Sequence, residues 1–341
     1  MSKMSTDLAR HALNGPTMGT RWSALFFAGP GFDPGPVQRA LQDAVDEVDA
    51  QMSTWRPDSD LMRLNRAPVG EWVSVPDDLA FVLTLGQRIG RASGGAFDMA
   101  VGDAVRAWGF GPVPADAAAI RAVMAKRPGS ADAALQIAGG RVCKAAPLTL
   151  DLNGVAKGFG VDQLAGRLRA HGIANALVGI DGEMRAMGTR PDGTPWTIAV
   201  ESPDTDRRAP HSVLALRDAS VATSGDYRHW ITVQGRRLSH TMNPATGAPL
   251  ATSPASVTVI APSCAEADAW ATALMVAGWD AGADMAVRAG LDALFLLRDA
   301  GGGLQMRSAG PLFRAGVRRA RPRETRLSSW HGPSDPGQQN S

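Results

Sequence analysis

The sequence predicts an α+β fold in which helices pack on antiparallel sheet, and three observations point there. Short apolar runs joined by turns recur from about residue 176 onward: Ala176-Leu-Val-Gly, Trp196-Thr-Ile-Ala-Val, Val213-Leu-Ala-Leu and Trp230-Ile-Thr-Val. Such spacing suits antiparallel pairing better than a doubly wound parallel sheet. Apolar stripes at three- and four-residue steps mark helices between and before these runs. The glycines at 158 and 160 lack the third glycine of a dinucleotide fingerprint, which argues against a Rossmann unit.

Taken in order, residues 1–13 are polar and are expected to form a flexible lead-in. The domain is expected over 14–313, opening with Gly15-Pro-Thr-Met-Gly-Thr-Arg-Trp, a turn leading into a strand. Pro36 opens a helix whose Val37, Leu41, Val45, Val48 and Met52 form one stripe. After a proline break at Pro57, Asp58 or Ser59 can cap a short helix through Leu61 and Leu64. Val161, Leu164 and Leu168 line a later helix that ends at Gly172. A turn is expected at Gln234-Gly235. Ser256-Val-Thr-Val-Ile-Ala is a strand feeding a helix with a capping box, Ser263 and Glu266, and Gly278 is placed to close its far end.

Composition narrows the function classes. The chain has 341 residues, 44% of them hydrophobic, ample for a sizeable core. Lys plus Arg (35) nearly balances Asp plus Glu (33), so no overall field favours nucleic acid or an anionic membrane. No apolar run reaches the roughly 18 residues of a membrane span. The N-terminal residues lack the apolar stretch of a secretory signal and the cysteine of a lipoprotein signal. As written the chain is expected in the cytoplasm; a start codon lying upstream would allow a periplasmic location. Cys143 and Cys264 form no CxxC and read as buried thiols. From 314 to 341 the chain carries Arg314, Arg318, Arg319, Arg321, Arg323 and Arg326 against Glu324 alone, and is expected to be a disordered tail.

Five stretches carry polar groups that a core does not require. In Asp151-Leu-Asn-Gly-Val-Ala-Lys157-Gly-Phe-Gly-Val-Asp162, a carboxylate and one of only four lysines flank a glycine-bearing turn before a helix, where backbone groups can approach a phosphate or a cation. Asp268 and Thr272, four residues apart, share one face of the capped helix, and two such oxygen ligands are a common way to hold magnesium. A capped or solvated pair has the same spacing. Gly94-Gly-Ala-Phe-Asp98 and Thr223-Ser-Gly-Asp-Tyr227 are equally polar. In Ser239-His-Thr-Met-Asn-Pro-Ala-Thr-Gly247, His240 ends a hairpin strand; an imidazole there can act as a base on a hydroxyl or be an ordinary surface histidine.

Six motifs in this order resemble the ApbE family, the FAD:protein FMN transferases. They are Thr17-Met-Gly-Thr, Met52-Ser-Thr-Trp, Gly95-Ala-Phe-Asp-Met-Ala-Val-Gly, Asp151-Leu-Asn-Gly-Val-Ala-Lys-Gly, Thr223-Ser-Gly-Asp-Tyr with His240-Thr-Met-Asn-Pro-Ala-Thr-Gly, and Ala267-Asp-Ala-Trp-Ala-Thr-Ala. The resemblance spans about residues 15–300. It implies a T-fold-like α+β architecture with FAD in a cleft between sheets and helices. It further implies that Met18 and Trp55 line the flavin pocket, that Ala96, Phe97 and Asp98 contact the dinucleotide, that Asp151 and Lys157 bind its other side, and that Met242 completes the enclosure. Magnesium is implied on Asp268, Thr272 and a backbone carbonyl, placed at Gly154 with Ala156 as the alternative.

The implied reaction is transfer of FMN from FAD to a serine or threonine hydroxyl of an acceptor protein, with AMP released and His240 as the base. Two readings compete: an FAD pyrophosphatase using water in the same site, and a flavin carrier without turnover. The retained His240, Asp268 and Thr272 disfavour the carrier. Two departures from the family pattern stand out. Gly179-Ile-Asp181-Gly-Glu183 replaces two glycines followed by an acid, and Asn243 stands where an aspartate is frequent.

Overall fold

The computed structural model describes residues 8–126, 129–203, 210–227, 230–233, 236–250, 254–299, 301 and 303–314. Its centre is an eight-stranded sheet: β1 (Ala9–Thr17), β2 (Thr20–Ala28), β3 (Ala176–Ile180), β4 (Glu183–Met187), β5 (Ala219–Gly225), β6 (Ser256–Ala261), β7 (Asp292–Arg298) and β8 (Leu304–Ala309). Spatial order follows chain order, and every neighbouring pair is antiparallel. The fold is therefore α+β with antiparallel sheet, and the chemistry-bearing segments are insertions between neighbours of a meander.

Four helices matter for the site: α1 (Gly35–Met52), α2 (Asp77–Ala92), α3 (Ala156–Ala170) and α4 (Cys264–Arg288). The expected stripe of α1 is buried: Val37, Leu41 and Val45 pack with Val161, Leu164 and Leu168 of α3 against Trp22, Ala24 and Phe26 of β2, while Val48 and Met52 join the core around α2. The opposite face of the sheet is covered by a two-stranded ribbon, Trp196–Glu201 against Pro210–Leu216, whose Trp196, Ile198, Val200 and Leu214 meet Val221 and Leu294. β6 lies between these layers with all six residues buried. The largest core cluster joins α2 and the first half of α4 to β6 and β7.

Three boundaries differ from the sequence expectation. β1 starts at Ala9, inside the segment expected to be flexible, because His11 stacks on Phe26 at 5.3 Å and Leu13 packs on the α1–β2 cluster; a polar composition concealed this period-two alternation. α3 starts at Ala156, so Lys157 and Gly158 lie in its first turn, after the glycine turn. Gly278 (φ +72°) kinks α4, and the helix resumes to Arg288. Ser59, not Asp58, caps the short helix Asp60–Arg66 through its hydroxyl, which accepts from the Met62 amide at 3.1 Å. Residues 1–7, the Gln234-Gly235 turn and the tail after Arg314 lie outside the described residues. Among the described residues, both cysteines are buried free thiols, and no helix is long and apolar enough to cross a membrane.

Candidate active site

The site is built where the start of α3 runs antiparallel to the start of α4. On α4, Cys264, Asp268 and Thr272 recur every four residues and so share a face. Facing them, Gly154, Gly158 and Asp162 recur at the same interval across the entry and first turns of α3. Three rungs result. The Asp162 carboxylate accepts from the amides of Cys264 and Ala265, each at 3.0 Å. The Gly158 amide donates to Asp268 Oδ2 at 3.0 Å. Gly154 lies against Thr272, so close that a Cβ there would sit 3.0 Å from the threonine Oγ1.

Glycine is what permits this approach. A Cβ at residue 158 would lie 2.7 Å from the carbonyl carbon of Cys264 and 2.8 Å from Cβ of Asp268, distances that real carbons do not tolerate. The helices also cap each other. The N-terminal amides of α3 find no side-chain cap from Val155, and Asp268 of α4 supplies one; those of α4 receive both Ser263 and Asp162 of α3.

Charge concentrates beside these rungs. Lys157 Nζ lies 3.1 Å from Glu183 Oε1 and 3.7 Å from Asp181 Oδ2. Burial works to deprotonate Lys157, but Glu183, Asp268 and Asp181 outweigh it and raise its pKa above the usual lysine value. Asp268 is only 5% exposed; burial first, and Glu183 next, push its carboxyl up to about 7, against the pull of Lys157 and the Gly158 amide. Burial likewise raises Asp151 to about 6, opposed by the Asn153 amide.

The remaining expected residues fall into three places. Phe97 packs on the loop, its ring 3.3 Å from where a Gly154 Cβ would be, and Ala96 packs on the core beside it. Met18 occupies the two-residue turn between β1 and β2 at φ +44°, an uncommon conformation for a residue with a side chain, and its Cε reaches toward Gly160 of α3. Met242 is buried with Ala104, Val105 and Trp108, where Phe110 also packs; the His240 ring lies edge-on to Phe110 at 6.4 Å. The Trp108 indole donates to the Gly247 carbonyl at 3.0 Å and ties that loop down. Trp55 is 60% exposed on the loop after α1, outside these contacts.

Two expected ligand carboxylates are occupied in shaping loops. Asp98 accepts from the amides of Ala100 (2.8 Å) and Ala131 (3.0 Å), and both oxygens of Asp151 accept from Asn153, at 2.9 and 3.0 Å. Asn243 caps its own turn by accepting from the Ala245 amide. Three residues that the sequence reading quoted within its segments, without giving them a role, come into the site: Asp162; Glu183, which is buried against Lys157; and Ser224, whose hydroxyl is 3.3 Å from that of Thr272. The four-residue echo of Gly154, Gly158 and Asp162 was the available signal for the first.

Among the described residues, no three His, Cys, Asp or Glu side chains gather as a metal cluster. The oxygen set of one buried carboxylate, one hydroxyl and a glycine loop nevertheless suits a hard cation: burial raises the Asp268 carboxyl against the pull of Lys157 and the Gly158 amide, and Thr272 lies against the Gly154 backbone, where an added Cβ would sit 3.0 Å from its hydroxyl.

Fold and site together define an α+β protein with an oxygen-lined seam between two mutually capped helices. The family model described as ApbE family matches residues 18–295, and the chain belongs to that family. It is 39% identical over 278 residues to the FAD:protein FMN transferase of Vibrio cholerae serotype O1, covering 79% of this chain and 82% of that one. The enzyme of the same name from Escherichia coli K12 is 34% identical over 298 residues, 84% of each chain. Among solved structures, flavin transferase ApbE from Vibrio cholerae superposes with a TM-score of 0.78 at 35% identity, covering 89% of this chain and 97% of that one. The apo form of Pseudomonas stutzeri flavinyl transferase ApbE gives 0.78 at 38% identity, covering 89% and 95%.

Proposed function

We propose that this chain is an FAD:protein FMN transferase that moves FMN from FAD to a serine or threonine hydroxyl of an acceptor protein. The hydroxyl oxygen bonds to the phosphorus next to riboflavin, the bond from that phosphorus to the AMP oxygen breaks, and AMP leaves. The single observation carrying this reading is the seam in which Asp268 and Thr272 face Gly158 and Gly154. Magnesium would be held there by Asp268, Thr272 and the Gly154 carbonyl. When bound it supplies positive charge to a diphosphate and to the oxygen that departs.

The chain's own groups do the rest. Lys157, kept protonated by Glu183 and Asp181, contributes a fixed positive charge beside the seam. Met18, half-buried beside Gly160 of α3, offers apolar surface for the dinucleotide, Phe97 is buried against the Gly154 loop and supports it, Trp55 offers an exposed aromatic face to the flavin, and Met242 anchors the enclosing loop. His240 takes the proton of the acceptor hydroxyl. Asp98 and Asp151 hold the loops that present these groups.

The reaction is tested by incubating the chain with FAD, Mg2+ and a polypeptide bearing an exposed serine or threonine, then weighing the polypeptide and assaying AMP. An FMN adduct matched by AMP supports the reading. Free FMN with AMP and no adduct replaces it with FAD hydrolysis, and intact FAD leaves binding alone.

A further inference from the structure

We infer that Asp162, held by Arg185, is the positioning residue of the reaction site: it fixes the register of α4 against α3 and thereby sets Asp268 and Thr272 opposite the Gly154–Gly158 backbone. The inference rests on the metal reading proposed above.

Four contacts carry it. Asp162 Oδ1 accepts from the Cys264 amide and Oδ2 from the Ala265 amide, each at 3.0 Å, so both oxygens bind the first turn of α4. Arg185 of β4 donates to Asp162 Oδ1, and each side chain of that ion pair is 17% exposed, so the carboxylate is anchored to the sheet and to its own helix. One turn earlier on the same face of α3, Gly158 meets both Cys264 and Asp268. A carboxylate on two successive amides of a helix end fixes that end in rotation as well as in translation, since both bonds hold in only one register. Asp268 and Thr272 follow Cys264 at one and two further turns, so their placement is inherited from this clasp.

Ser263 provides the internal contrast. It caps the same helix end, accepting from the Glu266 amide at 3.3 Å, but it belongs to the α4 side and does not reach α3. If Asp162 served only to cap, removing either residue would do the same thing. If it sets register, only Asp162 would move the metal ligands.

The test measures Mn2+ binding to the full chain by electron paramagnetic resonance, well below the melting transition, beside the melting temperature. Asp162→Asn retains the shape and one acceptor while losing one cap and the ion pair; Arg185→Gln keeps both caps and loses only the anchor, and serves where the first variant folds poorly. The expected result is a tenfold or greater weakening of Mn2+ binding in Asp162→Asn, and a smaller weakening in Arg185→Gln. Ser263→Ala is expected to melt lower but to bind Mn2+ within twofold of the parent chain. Unchanged Mn2+ affinity in both Asp162→Asn and Arg185→Gln, or an equal loss in Ser263→Ala, overturns the positioning role alone. Parent binding that is absent, or that survives Asp268→Ala, overturns the metal reading and the positioning role with it.

Discussion

The backbone amide of Gly158 donates to the carboxylate of Asp268 across 3.0 Å, so the proposed metal ligand of one helix is also the N-terminal cap of the other. Folding and site construction are thus one event at this contact. Whatever separates α3 from α4 removes a cap and a candidate ligand together.

Gly158→Ala is the sharpest steric probe of that contact. The added methyl has no free rotamer to escape into, because it meets the Cys264 carbonyl group and Asp268 Cβ. Overpacking of this kind costs about 1–3 kcal/mol or more. Urea denaturation should show a loss in that range, and FMN transfer should fall even where the variant remains folded.

The titration of Asp268 makes stability depend on pH in a defined direction. Its carboxyl is raised from 3.8 to about 7, so between those values the folded chain retains a proton that the unfolded chain releases. This contribution is therefore complete below pH 3.8 and is lost as pH rises to about 7, with Asp151 acting alike up to about 6. Asp268→Asn should flatten the fall by an amount on the order of a few kcal/mol. Mg2+ held as proposed would require the ionised form, so any rise in melting temperature that it produces should be larger at pH 8 than at pH 6.

Lys157→Met should destabilise the fold by about 3–5 kcal/mol, since Glu183 would be left buried and unpaired beside Asp268 and Asp181. Pairing it with Glu183→Leu should recover much of that loss without restoring transfer. Denaturation midpoints of the two variants separate this charge balance from a packing effect.

His240→Ala and Asp268→Ala should fail in different ways. Loss of the base should slow transfer by about 10²–10⁴ while FAD binding, followed by flavin fluorescence, stays nearly unchanged. Loss of Asp268 should abolish the response to Mg2+. Equal activity of both variants with the parent chain would remove both assignments.

Much of this architecture was legible before the structure, for physical reasons that differ by element. The stripe of α1 and the strands around 176, 196 and 256 were readable because burial imposes a period on apolar residues. β1 was not, because its inward residues include a histidine, half-buried by stacking on Phe26 and Phe32. On α4, Asp268 and Thr272 were visible as one face. Their counterpart, Gly154, Gly158 and Asp162, was hidden because two of its three members act by having no side chain, which leaves no polar signature. Glu183 and Ser224 come from β4 and β5, and local spacing does not reveal what a sheet brings beside a helix pair.

Asp268 and Thr272, opposite the Gly154 loop, are proposed to hold a divalent cation. Anomalous diffraction from crystals soaked with Mn2+ and FAD tests it most directly. One strong peak is expected within bonding distance of an Asp268 carboxylate oxygen and the Thr272 hydroxyl, with the diphosphate beside it. A nucleotide-loaded crystal with no peak there, or with its metal on other residues, contradicts it.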